Sequence, residues 1–325
     1  MSESDGRNGN NGYWNTHRFE NRVVAPLDSK FGVTVDEINS PDGNGNDYEA
    51  RRLRIGDDSD ELALFAWNGN RAYWLGNTET PEVLWRTDKV TFDEAPDEIS
   101  EWAQRELYRI LKQEEPELTE YTHLAWFFLP VLMSKDGRET AREFLLNGAG
   151  FPDTDSDEAL AFYDGLIQSG VFDGYRYTMA SKLGTRERHS ELHMAAAMAE
   201  FNAAKILHDS GYDIVPEVSI DGGYSLDFAV EGEDRFVEVT RPERKSKPVK
   251  AVKEATKRKS NGQLNDTEAL LFVDCSNFDR REWGRIASER PNAHHEPTVF
   301  YWMRPGNVEA FAVGKPELDL MVQWV

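Results

Sequence analysis

The chain runs to 325 residues, with 59 Asp and Glu against 37 Lys and Arg, a formal net charge of −22. No apolar run approaches the roughly 18 residues of a transmembrane helix. The single Cys275 excludes an intrachain disulfide and a cysteine-based zinc site, and so large an acid excess argues against indiscriminate coating of nucleic acid.

Met1 to Gly12 is polar and rich in Asn and Gly, so residues 1–14 read as a disordered tail, neither signal peptide nor anchor. With the lone cysteine this points to the cytoplasm. Residues 15–95 read as a β-rich domain, with strands over 31–38, 48–55, 61–67, 71–76 and 82–87 and turns at Pro41–Asp47, Gly56–Asp60 and Asn68–Asn70. Bases could stack on Phe65, Trp67, Tyr73, Trp74 and Trp85, but without basic neighbours these rings read as core. Residues 96–182 carry helical patterns over 97–115, 119–134, 137–147 and 156–169. Residues 122–179 have the outline of a winged helix, with Val171–Thr178 as the start of the wing. Asp153, Asp155, Asp157 and Glu158 crowd the amino end of its third helix. The helix dipole favours those acids and phosphates would be repelled, so a structural or protein-contact module is expected.

The third domain is read over 187–325. A helix over 187–210, with Leu192, Ala196, Ala199, Ala203 and Ile206 on one side, ends at Gly211, and a strand follows at Tyr212–Val218. Residues 225–230 and 235–240 alternate as half-buried strands, joined by the turn-forming Glu231-Gly232-Glu233-Asp234. If Val230 faces Arg235, Asp227 lies opposite Glu238 and Ser225 opposite Thr240, all on one face. Like charges so placed destabilise a sheet, and a divalent cation between them would remove the penalty. Residues 241–259 then hold nine cations against Glu243 and Glu254, a local reversal of the chain's sign. Arg241, Arg244, Lys250, Lys253 and Lys257 are the candidates for holding a polyanion beside the carboxylates. Ser246 and Pro248 start a helix, 269–274 reads as a strand covered on both faces, and a helix over 279–290 and a strand at Thr298–Met303 follow. The class is mixed α/β.

In the order helix, three strands, helix, strand, and in Glu200, Asp227 and Glu238 on the first helix and second and third strands, residues 187–305 resemble the PD-(D/E)XK nuclease superfamily. The resemblance implies a restriction-endonuclease-like mixed sheet flanked by helices. It implies metal-dependent hydrolysis of phosphodiester bonds, with DNA rather than RNA the expected nucleic acid. Asp227 and Glu238 become ligands of Mg²⁺ or Mn²⁺, and Glu200 positions the attacking water. A homodimer is a further implication, since many such nucleases need one for double-strand cuts. Thr240 stands at the family's lysine position and Leu226 at its proline. Members of the family sometimes supply the lysine from elsewhere, and Lys245, Lys247, Lys250 and Lys253 are the candidates. The alternative is a degenerate nuclease fold that binds nucleic acid or a partner protein without cutting.

The acidity resembles that of proteins from a salt-rich cytosol, as in haloarchaea, where phosphate contacts work at close range because the Debye length is only ~3 Å at 1 M salt. His189 and His193, four apart on a helix, and His294-His295 in a loop read as ordinary surface histidines rather than metal ligands.

Overall fold

The computed structural model describes residues 13–41, 48–56, 61–76, 95–134, 137–184, 191–220, 224–244, 247–262, 264 and 268–325. The expected tail over 1–12 and strand over 82–87, with Trp85, lie outside these residues. The chain divides into two compact units where the sequence suggests three domains: residues 1–113 with 133–136, and residues 114–132 with 137–325.

In the first unit, β1 (Val33–Glu37), β2 (Glu49–Ile55), β3 (Glu61–Trp67) and β4 (Ala72–Gly76) form an antiparallel sheet in sequential order. Ahead of it, in a segment whose sequence shows no clear periodicity, α1 (Thr16–Phe19) runs through a π-helical turn (Glu20–Val24) into α2 (Ala25–Phe31). Phe19 and Val23, four apart on one side, close the sheet's core of Leu53, Phe65, Trp67 and Trp74. The Phe19 ring stacks on Trp67 at 4.8 Å. Tyr73 is buried as well. These four sheet aromatics are therefore core, with no face offered to a base. α3 (Asp97–Glu114) buries Ile99, Trp102, Ala103, Leu107, Ile110 and Leu111, and Trp102 donates its indole N–H to the carbonyl of Asn39 at 2.8 Å.

The second unit opens with α4 (Pro116–Thr119), α5 (Thr122–Phe127), α6 (Leu129–Leu132), α7 (Arg138–Leu146), α8 (Ser156–Gln168) and α9 (Arg176–Ser181). The single helix expected over 119–134 breaks because Pro130 has no N–H for the carbonyl of Trp126. The Arg176 guanidinium takes that carbonyl instead, and that of Phe127 at 3.4 Å. No strand forms over 171–178: the chain turns between Gly170 and Gly174, both at positive φ, and enters α9. The winged-helix outline is thereby corrected to an all-helical segment. Its residues pack on α10 (Glu191–Asp209), with Phe127, Phe128 and Phe172 all in ring contact with Phe201. That shared core explains why the helices and the following sheet form one unit.

The sheet has seven strands in the order β11-β10-β9-β8-β7-β6-β5. They are β5 (Ile214–Ile220), β6 (Tyr224–Val230), β7 (Arg235–Thr240), β8 (Leu270–Asp274), β9 (Thr298–Arg304), β10 (Asn307–Val313) and β11 (Gln323–Trp324). Strands β7, β8 and β9 are parallel, joined through α11 (Pro248–Ser260) and α12 (Arg280–Glu289). Strands β10 and β11 are additions to the order expected from the sequence. Side chains alternate, so the faces separate cleanly. Leu271, Val273, Phe300 and Trp302 pack with Val252 of α11 and Trp283 and Ile286 of α12. On the other face the hydroxyl of Tyr301 donates to the carbonyl of Ala199, and Asn202 donates to Asp274, both from α10. Cys275 is fully buried in the α11/α12 core as a small apolar residue. No helix among the described residues is long and apolar enough to cross a membrane.

Candidate active site

Strands β6 and β7 pair Val230 with Arg235, Ala229 with Phe236 and Phe228 with Val237, the register expected for a four-residue connection. Continued by one step, it brings Asp227 level with Glu238. The backbone ladder ends before that step, and Oδ2 of Asp227 accepts the N–H of Val239 at 2.7 Å. On its other side β6 pairs with β5, where Pro216↔Phe228 and Val218↔Leu226 flank Glu217 and set it level with Asp227. Proline is tolerated there because β5 is an edge strand. Glu217 itself sits at a left-handed φ of 57°. Three carboxylates thus stand in a row across β5, β6 and β7.

A fourth comes from α10. Carboxylate oxygens of Glu200, Glu217 and Asp227 all lie within 4.8 Å of one another. Two lysines from outside the sheet offset the repulsion. Lys182, the residue capping α9, places its ammonium against Glu200 and Glu217 and 4.0 Å from Asp227. Lys259, near the end of α11, pairs with Oε1 of Glu238. Glu238 is only 1% exposed, and its Oε2 has no hydrogen-bond partner among the described residues. A buried orphan oxygen costs free energy until a donor or cation reaches it. The cluster opens to solvent through Glu217, whose side chain is 43% exposed. Hard carboxylate oxygens with one lone pair set unclaimed suit a divalent cation such as Mg²⁺ or Mn²⁺. The donors present fit that group.

Burial, and then the charge of Asp227, push the Glu200 carboxyl up to about 8 and that of Glu238 up to about 7, with Lys182 and Lys259 holding each partly down. Burial also raises Asp227, against the Val239 N–H that lowers it. For Lys182, burial alone would favour the neutral amine, but Glu200, Glu217 and Asp227 outweigh it and the ammonium is held above its ordinary range. A carboxyl raised in the folded state keeps a proton that the unfolded chain has released, so stability is lost as pH climbs from the ordinary carboxylate range through about 8. The thermal midpoint of the metal-free protein is therefore expected to fall across that window, and Glu200→Gln to flatten the fall. Mg²⁺, which competes with the protons, should restore the midpoint most at the alkaline end. Melts over a pH series with and without Mg²⁺ check this; a profile identical in Glu200→Gln would contradict the assignment.

Of the residues expected from sequence, Glu200, Asp227 and Glu238 meet in the cluster. Thr240 pairs with Val273 on β8 and lies half-buried. Lys245 lies outside the described residues. Lys247 caps the start of α11 and is exposed, and Lys250 pairs with Glu254 at 3.5 Å on the same helix. Lys253 and Lys257 are exposed beside it. The lysines that pair with the cluster's carboxylates are two others, Lys182 and Lys259. Arg244 bridges Asp279 at 3.5 Å and Glu282 at 2.8 Å. Arg241 is corrected outright: its side chain is 3% exposed and bound to buried Asp274 at 2.5 Å, beyond the reach of any polyanion. Sequence reasoning missed Glu217, Lys182 and Lys259. Lys259 alone had a signal, lying three, four and seven positions beyond Thr256, Ala255 and Val252 on the inward side of α11. His189 lies outside the described residues, His193 and His294 are exposed, and His295 bonds the carbonyl of Ala269 at 2.6 Å.

No curated protein and no solved structure matches the chain. One family model matches residues 7–320, nearly its whole length, and its description is a family of unknown function (DUF5784). The acidic cluster on α10 and β5–β7 is thus a feature of a chain that belongs to the DUF5784 family.

Proposed function

We propose that the chain is a divalent-metal-dependent nuclease of PD-(D/E)XK type that hydrolyses phosphodiester bonds in DNA. One observation carries the reading: Glu200, Asp227 and Glu238, chosen for their order along helix, second strand and third strand, come together, Glu200 beside Asp227 and Asp227 acting on the charge of buried Glu238, whose Oε2 has no hydrogen-bond partner among the described residues. A central run of β7, β8 and β9 with α10 on one face and α11 and α12 on the other supports a restriction-endonuclease-like core.

Asp227 and Glu238 would hold Mg²⁺ or Mn²⁺, which supplies Lewis acidity toward the phosphoryl oxygen and lowers the pKa of a water. Glu200, its proton affinity raised to near neutrality, is suited to orient that water and take its proton. Lys259 offers beside Glu238 the positive charge that Thr240 lacks. The outer face of the same helix presents Lys250, Lys253 and Lys257 to phosphates, an interaction that positions a backbone without reading its sequence. Cleavage of mixed single- and double-stranded DNA with Mg²⁺ or Mn²⁺ at high KCl tests the activity.

Replacing Lys250, Lys253 and Lys257 together by Ala is expected to weaken DNA binding by at least ~10-fold at moderate salt. It should also reduce the slope of log affinity against log salt by about 3, one unit for each phosphate no longer neutralised. Fluorescence anisotropy across a KCl series measures both, and an unchanged slope would remove the stripe from the interface.

Thr240 favours a second reading, a retired nuclease scaffold that binds DNA and leaves it intact. Tight DNA binding by a folded protein that cuts no substrate under any metal would select it.

A further inference from the structure

The acidic cluster has two halves that share Asp227. On one side stand Glu200 and Glu217 with Lys182; on the other stands Glu238 with Lys259. Phosphodiester-cleaving centres with two metals hold them roughly 3.5–4 Å apart, each neutralised by carboxylates and one carboxylate often shared. Here the three oxygens that would enclose a cation in the first half already surround an ammonium group. In the second half, the buried Oε2 of Glu238 has no hydrogen-bond partner among the described residues. The charges agree with that division. Once all four carboxylates are ionised, as ligation of a cation requires, they and the two ammonium groups leave two negative charges, the complement of one divalent ion and not of two.

Resting on the nuclease reading above, we propose that the centre takes a single divalent cation between Asp227 and Glu238, and that the Lys182 ammonium serves as a built-in second cation in the subsite of Glu200, Glu217 and Asp227. Lys182 is delivered by α9, outside the helix and strands that carry the carboxylates. The chain thereby supplies from a neighbouring helix the positive charge a second ion would otherwise bring. Glu217 then acts as a positioning residue for Lys182 rather than as a ligand of the metal.

Mn²⁺ titration at high KCl, followed by electron paramagnetic resonance of the free ion and by calorimetry, tests this without measuring activity. The wild-type chain should bind one Mn²⁺. Lys182→Met, purified with Mn²⁺ present, should bind two, because removing the ammonium opens the first subsite. Glu217→Gln should still bind one, because Glu217 contacts the Lys182 ammonium. That variant alters a half-exposed side chain and provides the test should Lys182→Met fail to fold. Two ions on the wild type, one ion on both wild type and Lys182→Met, or loss of the ion in Glu217→Gln would each overturn the proposal while leaving a metal-dependent nuclease in place. A wild-type chain that binds no Mn²⁺ would overturn both.

Discussion

Asp227→Ala is expected to lower the rate of Mg²⁺-dependent DNA cleavage by about 10³-fold or more, and Glu238→Ala to do the same, with DNA binding held within a few-fold in both. The size follows from position. Asp227 is the carboxylate common to both halves of the cluster, and Glu238 brings the buried oxygen without a partner among the described residues. Neither residue lies on the exposed face of α11 that would hold the phosphates, so affinity should be insulated from chemistry. Single-turnover cleavage separates the two quantities, because it reports the chemical step once DNA is bound. Cutting that persists in either variant would place the chemistry elsewhere. Equal loss of binding in both would mean the carboxylates support the DNA-binding surface and do not divide the labour as described. Glu238→Gln is the sharper variant of the pair: it keeps the shape and the bond to Lys259 while removing the charge.

The core of this site was legible because it rests on local chemistry. Alternation in 225–230 and 235–240 with a four-residue turn between them fixes a hairpin register, and that register, continued one step past the last paired residues, brings Asp227 level with Glu238. The 3.6-residue periodicity of α10 likewise located Glu200 among small and apolar neighbours. The cations escaped for two different reasons. Charge density draws attention to the lysines of the outer face of α11, whereas the lysine that matters to Glu238 is the one following the apolar side of that helix. Lys182 has no sequence signal at all. It lies 18 residues before Glu200 and 35 before Glu217, and it reaches them from the end of α9, whose first residue, Arg176, is tied to the Trp126 carbonyl at the end of α5. Glu217 is hidden because it owes its place to the register of β5 against β6, which no sequence pattern marks. The same limit explains β10, which pairs with β9 through Gly306 in a tight connection but has only a short alternation of its own.

Arg241 shows how a cation in a basic stretch can serve the fold, and the energetic consequence is large. Asp274 has no exposed surface and accepts four bonds: from Arg241 Nε at 3.1 Å and Nη2 at 2.5 Å, from Asn202 at 3.0 Å and from the Ser276 N–H at 2.7 Å. Asn202 in turn accepts from the hydroxyl of Tyr163 at 3.0 Å, which ties α8 and α10 to the ends of β7 and β8. Gly150 lines the same pocket, and a Cβ there would meet the guanidinium at 2.8 Å. Removing one member of a buried ion pair leaves the other charge without compensation, so Asp274→Ala is expected to destabilise the unit by about 3–5 kcal/mol. Replacing both ends, Asp274→Leu with Arg241→Met, should recover most of that stability, because it removes two desolvation penalties together. Urea unfolding followed by tryptophan fluorescence, to which the buried Trp283 and Trp302 contribute, measures each variant. A double variant no better than Asp274→Ala would mean that the pair contributes net stability beyond its own cost. Arg241→Ala decides between a structural and a phosphate-binding guanidinium: in its folded fraction, DNA affinity should match the wild type, since the group removed never faced the solvent.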